Sequence, residues 1–157
     1  MSFRLSTVEE THAFGTRLAG ILRPGDLLLL TGPLGAGKTA LVQGIGAGLK
    51  VVGSITSPTF VIARVHRADV GRGGVVPLVH ADAYRLGDAP DPRAEIDDLD
   101  LDASAEDAVT VVEWGAGMVE QLNDEYLGVR IDRLEDDTRV IELRPCGGDW
   151  AERIKEL

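Results

Sequence analysis

The stretch at residues 27–39, which reads LLLLTGPLGAGKT, constrains the fold of this chain more than any other. It begins with an apolar run typical of a buried strand and continues with G-x-x-x-x-G-K-[ST], matched at every fixed position. Apolar residues then recur at helical spacing at positions 41, 42, 45 and 49. A strand, a glycine-rich turn and a helix in this order predict a phosphate-binding loop in an α/β domain.

The residue types of this loop favour a nucleotide as its ligand. The glycines would let the backbone turn so tightly that successive N–H groups point into one concavity and bind phosphates. Lys38 would reach the β- and γ-phosphates, and the hydroxyl of Thr39 would bind Mg²⁺. The positive end of the helix that begins near Lys38 would attract the same phosphates. The alternative is a flexible glycine turn that joins a strand to a helix and binds nothing.

The size and charge of the chain limit the classes of protein to which it can belong. Its 157 residues predict one domain over residues 1–157, and no run of about 18 apolar residues is present to cross a membrane. Cys146 is the only cysteine, which excludes an intrachain disulfide and favours a reducing, cytoplasmic location. The net charge of −10 argues against broad nucleic-acid binding by this chain alone, although solubility is another reason for it. A nucleotide site or a basic protein partner fits this charge better.

Local patterns predict the remaining helices and strands. Ser6 and Glu9 form a capping box that would begin a first helix. Strand patterns at residues 60–65 and 75–79, on either side of a glycine-rich turn at 71–74, predict a hairpin or a pair of neighbouring strands. A helical turn is expected at residues 117–122. Alternating apolar residues at 127–131 and 139–143 predict a C-terminal hairpin, after which a short helix would close the chain. The acidic stretch 88–107 predicts a loop with one or two short helices, which would be either a solvated face or a partner surface.

Two carboxylates follow apolar strands and are candidate metal ligands. Asp82 comes after the run at 75–79, and Glu113 ends the buried-strand pattern VTVVE. Ligands of open α/β sheets collect at the carboxyl ends of strands, where a carboxylate can bind Mg²⁺ through water or orient an attacking water. His80 would share a face with Asp82 if the strand continued. The alternatives are an Asp82 that caps a turn and a Glu113 on the surface.

A hydroxyl-rich loop with the sequence TSPTF follows the phosphate-loop helix at residues 56–60. Many NTPases keep a switch segment at this place in the chain, and Ser57 or Thr59 would then contact the γ-phosphate or the metal. An ordinary proline-containing turn, in which these hydroxyls bond only to nearby backbone, is the alternative.

Missing signatures exclude several classes of phosphate-loop protein. A small GTPase would carry N-K-x-D, but the only asparagine, Asn123, is not followed by lysine. The S-G-G signature of transporter ATPases is missing, and the chain is too short for a helicase or an AAA+ module. A small-metabolite kinase stays open, although such kinases usually need an arginine-bearing lid, for which Arg72 and Arg93 are the few candidates.

Several motifs, taken in order, resemble those of the bacterial TsaE (YjeE) family of small ATPases. They are GPLGAGKT, TSPTF, HADAYRL and VEW, followed by the C-terminal hairpin, and they span nearly the whole chain. The resemblance implies an α/β fold of the P-loop NTPase type. This would be a three-layer sandwich whose central sheet is mostly parallel, with helices on both faces and antiparallel additions. It also implies a part in the biosynthesis of threonylcarbamoyladenosine in tRNA.

The resemblance further implies roles for single residues. Six consecutive residues would hold the phosphates of ATP or ADP: Leu34, Gly35, Ala36, Gly37, Lys38 and Thr39. Thr39 would bind Mg²⁺ directly, Glu113 would be the Walker B-like carboxylate, and Asp82 would support the metal. The base and ribose would lie near Thr11 and Arg139.

The TsaE family works with partners called TsaB and TsaD, which transfer threonylcarbamoyl to adenosine 37 of tRNAs that read codons beginning with A. The resemblance implies that this chain would bind and hydrolyse ATP to drive or reset that complex, without performing the transfer, and would contact tRNA only indirectly. The sequence places no arginine finger, so slow hydrolysis without partners is expected. Pro33 departs from the family's usual aspartate, but this loop position need not donate to phosphate. A small-molecule kinase and a nucleotide-gated binding module with negligible hydrolysis are the alternatives.

Overall fold

The structure, a computed structural model, describes residues 1–33, 35–53, 55, 63–82, 107–113 and 125–157. Seven strands of these residues form one sheet: β1 (Ser2–Leu5), β2 (Leu27–Thr31), β3 (Ala63–His66), β4 (Leu78–Asp82), β5 (Val109–Glu113), β6 (Tyr126–Arg133) and β7 (Arg139–Cys146). The described α-helices are α1 (Val8–Ala19), α2 (Lys38–Leu49) and the short C-terminal α3 (Trp150–Arg153).

The strand order across the sheet is β1-β7-β6-β2-β5-β4-β3. The four central strands, β6, β2, β5 and β4, are parallel, whereas β7, β1 and β3 pair with their neighbours in the antiparallel sense. This confirms the predicted α/β sheet with a parallel core and antiparallel additions. Because parallel strands end on the same side, the central four bring their carboxyl ends to one side of the sheet, here called the carboxyl edge.

The core joins the sheet to α1 and α2. The strands β2 and β5 lie inside the sheet, so the side chains of their apolar runs are largely buried, as the sequence predicted. The largest fully buried side chains come from these two helices and from β2, β4, β6 and β7: Phe14, Leu18, Leu28, Leu30, Leu41, Ile45, Leu78, Leu127, Ile131, Ile141 and Leu143.

The helices α1 and α2 approach each other so closely that their contact needs glycine. A Cβ atom on Gly15 would lie 2.4 Å from the carbonyl oxygen of Leu41, and one on Gly48 would lie 2.5 Å from Cβ of Ala19. Gly44, between these contacts, would place a Cβ 2.1 Å from a backbone carbonyl oxygen of α1. Since residues later in α1 contact residues later in α2, the two helices run in the same direction.

The first helix begins one residue later than the capping box at Ser6 and Glu9 predicted. Thr7 is the N-cap, and its hydroxyl accepts a hydrogen bond from the N–H of Glu10 at 3.1 Å. The carboxylate of Glu10 accepts from the N–H of Ser6 in return. The sequence S-T-V-E-E contains two capping-box pairs, Ser6 with Glu9 and Thr7 with Glu10. Because β1 pairs with β7 up to Leu5, only Ser6 lies between the strand and the N-cap.

The strands predicted around the 71–74 turn are present with different bounds. β3 and β4 are neighbours, as predicted, and they pair in the antiparallel sense; residues 60–62 lie outside the described part of the chain. The prediction of a strand at 75–79 was wrong in its start, because Pro77 cannot donate to a strand ladder and Val75 is exposed. β4 begins at Leu78 and continues to Asp82.

The C-terminal hairpin of β6 and β7 and a closing helix, α3, are confirmed. The strand β1, which pairs with β7, was not predicted. The short helices expected within 88–107 and the helical turn expected near 117–122 lie outside the described residues. Helices on both faces of the sheet therefore stay a prediction.

Candidate functional site

The turn between β2 and α2 has a backbone conformation that glycine adopts readily and other residues rarely adopt. Gly35 and Gly37 have φ angles of 79° and 106°, in the left-handed region, and Gly37 is the N-cap of α2. A Cβ on Gly32 would lie 2.2 Å from the carbonyl oxygen of Ile131 on β6. The three glycines therefore form the tight turn that the motif predicted, with Leu34 outside the described residues.

Lys38 begins α2 and directs its side chain back over the turn. The residue is 7% exposed, and its Nζ donates a hydrogen bond to the carbonyl oxygen of Gly32 at 2.7 Å. Thr39 is half-buried in the same helical turn. Ala36 is buried, and its N–H donates to the carbonyl three residues earlier at 3.1 Å. Gly35 is exposed and has open space where a Cβ would be, so the turn is accessible from that side.

Of the two residues implied for base and ribose, Arg139 lies against the turn. A Cβ on Gly37 would be 3.2 Å from Nε of Arg139, and Nη1 of the same side chain donates to the carbonyl oxygen of Asp137 at 2.6 Å. Thr11 is instead buried in α1, where its hydroxyl donates to the carbonyl oxygen of Thr7 at 3.3 Å. The structure thus brings Arg139 to the loop, whereas the side chain of Thr11 is buried and bonded to the backbone of Thr7.

Glu113 and Asp82 meet at the carboxyl edge, beside the strand that leads into the loop. The sheet register pairs Glu113 with Leu30 of β2 on one side and with Asp82 of β4 on the other. Glu113 is 4% exposed, so the alternative of a surface glutamate is wrong. Asp82, described through its backbone, is the last residue of β4. The two carboxylate residues predicted from separate motifs are therefore neighbours in the sheet.

A buried contact joins Glu113 to His80. His80 pairs with Val111, two residues before Glu113, so both side chains lie on one face of the sheet. Nε2 of His80 lies 3.0 Å from Oε1 of Glu113, and the two side chains are 0% and 6% exposed. Within the described ranges, no group hydrogen-bonds the buried Nδ1 of His80.

Sequence reasoning placed His80 and Asp82 on one face on condition that the strand continued, and β4 does extend through both residues. It missed the contact between His80 and Glu113. Alternation along a strand tells which side chains share a face, but it does not tell which strand is the neighbour. The sequence signal for this contact is H-x-D in one strand and a glutamate at the end of another. This signal predicts the contact only when β4 and β5 are known to pair.

A second buried histidine, His66, lies on the same face of the sheet. The register pairs His66 with Leu78 and Arg64 with His80. Burial lowers the pKa of His66, and the neighbouring His80 ring and Arg64 guanidinium lower it further, whereas a backbone hydrogen bond at Val52 acts in the opposite direction. His66 is therefore predominantly neutral at neutral pH.

Several residues named in the sequence analysis lie outside the described part of the chain, and their roles stay predictions: Ser57, Thr59, Arg93 and Asn123. Arg72, a candidate for a kinase lid, is exposed and lines a cleft with Lys50 at the C-terminal end of α2. Lys38 lies at the other end of this helix, whose 12 residues span about 18 Å. The position of Arg72 therefore gives the kinase alternative no support.

The residues at the carboxyl edge fit a nucleotide with Mg²⁺. In the described ranges, no group of three or more His, Cys, Asp and Glu side chains could hold a metal ion alone. A magnesium ion bound through phosphates does not need such a group, since one or two carboxylates and water complete its oxygen ligands. The carboxylate of Glu113 and the hydroxyl of Thr39 offer oxygen ligands for such an ion. The buried amine of Lys38 suits the phosphates.

Comparison with known proteins identifies the family. The family model described as "Threonylcarbamoyl adenosine biosynthesis protein TsaE" matches residues 5–141. This chain belongs to the TsaE family. It is 54% identical to the "tRNA threonylcarbamoyladenosine biosynthesis protein TsaE" of Streptomyces coelicolor, over 87% of this chain and 91% of the relative. The TsaE protein of Bacillus subtilis is 37% identical, over 100% of this chain and 93% of the relative.

A solved structure supports the fold. The crystal structure of Bacillus subtilis YdiB has a TM-score of 0.77 and 32% sequence identity with this chain, and the match covers 99% of this chain and 92% of YdiB. The resemblance to TsaE that the motifs indicated is confirmed by the family model and the relatives. None of the helices in the described ranges has the length and apolarity that crossing a membrane requires.

Proposed function

We propose that this chain is the ATP-binding and ATP-hydrolysing subunit required to form threonylcarbamoyladenosine at position 37 of tRNAs that read codons beginning with A. It would act in the cytoplasm with TsaB and TsaD, which perform the transfer, and would contact tRNA only through them. The observation that carries this proposal is membership of the TsaE family, whose relatives are named for tRNA threonylcarbamoyladenosine biosynthesis. The net charge of −10 supports indirect rather than direct contact with tRNA.

The proposed ligands are ATP or ADP together with Mg²⁺. The N–H groups of residues 34–37 and the amine of Lys38 would bind the phosphates, and this amine would exchange the carbonyl of Gly32 for a phosphate oxygen. The hydroxyl of Thr39 and the carboxylates of Glu113 and Asp82 would hold the ion. Bound Mg²⁺ supplies charge neutralisation at the β- and γ-phosphate oxygens.

The proposed reaction is in-line attack of water on the γ-phosphoryl group, which gives ADP and phosphate. Glu113, or Asp82 beside it, would orient the attacking water at the carboxyl edge. Lys38 and the loop N–H groups would stabilise the charge that develops on the phosphoryl oxygens. Ser57 and Thr59 would approach from the switch-like loop. The low exposure of Lys38 and Glu113 supports this arrangement, because electrostatic interactions are stronger where water is excluded.

Hydrolysis by the isolated chain is expected to be slow. Arg139 lies against Gly37, but its guanidinium donates to the carbonyl of Asp137, and the sequence places no arginine finger at the γ-phosphate. An arginine that contacts the transferring phosphoryl group accelerates such reactions strongly. We therefore expect TsaB and TsaD to raise the rate by completing or ordering the site.

The first test is ATP hydrolysis by the purified chain, alone and with the TsaB–TsaD pair. The Lys38→Ala variant is expected to lose stimulation and to bind ATP about 10- to 100-fold more weakly, because a charge-assisted contact to phosphate is removed. Lys50→Ala is the matched control, since Lys50 follows the opposite end of the same helix. It should hydrolyse ATP like the unaltered chain.

Other outcomes would contradict part of this proposal or support one of the two alternative functions. Fast turnover without partners would contradict the proposed partner dependence. Stoichiometric phosphorylation of a small acceptor would support the kinase alternative. A Glu113→Ala variant that keeps partner binding and cellular function, while Lys38→Ala loses both, would support a nucleotide-gated binding module.

A further inference from the structure

We propose that His80 is a positioning residue whose imidazole donates its Nε2 hydrogen to Oε1 of Glu113 and so orients this carboxylate for Mg²⁺ and water. The inference rests on the proposed nucleotide site, because it assigns a role to a partner of Glu113 in that site. In this arrangement His80 acts through Glu113 and contacts neither the nucleotide nor the ion.

The pairing of two strands holds His80 and Glu113 together. β4 and β5 are parallel neighbours, and the register that pairs His80 with Val111 places the ring diagonally beside Glu113. The distance of 3.0 Å between Nε2 and Oε1 is that of a hydrogen bond. The side chain of His80 is 0% exposed, so bulk water does not compete for Glu113 on this side. The orientation of the carboxylate is therefore fixed by the sheet itself.

The other ring nitrogen indicates where the hydrogen lies. Nδ1 of His80 is buried and has no hydrogen-bond partner within the described ranges. A hydrogen on Nδ1 would be a buried donor without an acceptor, which is unfavourable. With the hydrogen on Nε2, the ring donates to the carboxylate and Nδ1 carries a lone pair alone.

This hydrogen bond gives the two oxygens of Glu113 different tasks. Oε1 accepts from His80, and Oε2 is left for a magnesium-bound water or for the attacking water. A carboxylate that is already oriented loses less conformational freedom when it binds the ion, so binding is tighter. Replacement of such supporting residues typically changes metal affinity or activity about 10- to 100-fold.

Two substitutions at the same position separate the hydrogen bond from simple packing. In His80→Gln, the amide nitrogen can reach the position of Nε2 and donate to Glu113. In His80→Asn, the amide nitrogen corresponds to Nδ1 and falls short of the carboxylate. His66→Asn is the matched control, because His66 is also a buried histidine on this face and its hydrogen bond is at the backbone of Val52.

The experiment measures the binding of a fluorescent ADP analogue to each variant, first in EDTA and then as Mg²⁺ is added. We expect His80→Asn to raise the half-saturating Mg²⁺ concentration about tenfold or more, while affinity in EDTA stays within about twofold. His80→Gln and His66→Asn should remain within about threefold of the unaltered chain in both measurements. The ¹⁵N NMR shifts of the His80 ring should show that Nε2 carries a hydrogen and Nδ1 does not.

Three results would overturn the proposal. They are an unchanged Mg²⁺ requirement in His80→Asn, an equal loss in a folded His80→Gln, and a protonated Nδ1 in the NMR spectrum. If His80→Asn does not fold, the glutamine variant and the NMR measurement still decide. Absence of Mg²⁺-dependent nucleotide binding by the unaltered chain would instead contradict the proposed function, so the two failures are distinguishable.

Discussion

At the scale of single residues, Lys38 and Glu113 are a cation and a carboxylate that are both nearly buried at the carboxyl edge. Lys38 is 7% exposed and Glu113 is 4% exposed. Buried charges need partners, and here these are the carbonyl of Gly32 for the amine and the ring of His80 for the carboxylate. In our proposal the amine exchanges its partner for phosphate, whereas Glu113 keeps His80 throughout.

The lowered pKa of His66 makes the stability of the fold depend on pH. Burial is the main cause, and the pKa lies below the 6.5 expected for an ordinary histidine. As pH falls through about 6.5, the unfolded chain binds a proton before the folded chain does, so the free energy of unfolding decreases toward the lowered pKa. We therefore expect the free energy of unfolding, measured with urea, to decrease less in His66→Asn than in the unaltered chain between about pH 7.5 and about pH 5. An equal decrease in both proteins would contradict the assignment.

The sequence alone pointed to Lys38, Thr39 and Glu113, because each follows a local pattern that requires its chemistry. It did not reveal the partner of Glu113, since the contact between His80 and Glu113 joins residues of separate strands. The position of Arg139 beside the loop was implied only by family resemblance, and its contact with Gly37 depends on how the hairpin folds back onto the carboxyl edge.

At the scale of elements, the contact between α1 and α2 explains the glycines that weaken α2. In the sequence, Gly44, Gly46 and Gly48 are unfavourable for a helix. In the structure, Gly44 and Gly48 allow the two helix backbones to approach, whereas Gly46 faces the side chains of Val51 and Ile55. The cost in helix propensity is therefore linked to close helix packing.

Two alanine substitutions in α2 test this explanation. Each should gain up to about 1 kcal/mol of helix propensity. A Cβ at Gly44 would meet the backbone carbonyl oxygen of His12 at 2.1 Å, whereas a Cβ at Gly46 would meet the tip of the Ile55 side chain, which can move. We expect Gly44→Ala to lower the free energy of unfolding by about 2 kcal/mol and Gly46→Ala by less than about 1 kcal/mol. Equal values from urea unfolding would show that helix contact is not the reason for Gly44.

The elements that could be predicted are those with long local patterns. β2, α2 and the hairpin of β6 and β7 follow from their own residues, and the structure confirms them. β1 has four residues and pairs with β7, far away in sequence, so no local pattern revealed it. β4 was misplaced because the apolar run continues across Pro77, where strand pairing cannot.

At the scale of the whole molecule, the C-terminal segment is attached to the turn before β2 through Arg153. This side chain is 8% exposed, and it donates to Asp26 at 3.1 Å and to the carbonyl oxygen of Ile21. Its guanidinium also lies 3.9 Å from the ring centre of Trp150. One arginine side chain therefore provides the ion pair with Asp26, the hydrogen bond to Ile21 and the stacking on Trp150.

Replacing Arg153 should therefore destabilise the fold far more than replacing a surface cation. Arg153→Met leaves the carboxylate of Asp26, which is 11% exposed, with the backbone N–H of Arg23 but without its charged partner, and should lower the free energy of unfolding by about 3 kcal/mol. Lys155→Met is the matched control, since its pair with Glu152 is exposed, and it should cost less than about 0.5 kcal/mol. Thermal and urea unfolding of both variants would check this, and similar losses would contradict it.

The fold class and the family of the molecule could be predicted because the motifs extend from residue 32 to residue 114 in a fixed order. A single domain over residues 1–157 and helices on both faces of the sheet stay predictions. Partner surfaces could not be derived, because the acidic stretch 88–107 has the same composition whether water or a protein covers it.

The strand order also has a consequence for how a newly made chain folds. β2 lies near the start of the sequence, yet its two neighbours, β5 and β6, come from residues 109–113 and 126–133. During translation, four consecutive leucines leave the ribosome long before either neighbouring strand is available. Pairing between strands that lie so far apart in the sequence is slow, and the apolar side chains of β2 stay exposed until it is complete. Chaperones that bind extended apolar segments are therefore expected to engage the nascent chain at β2 until its last third emerges.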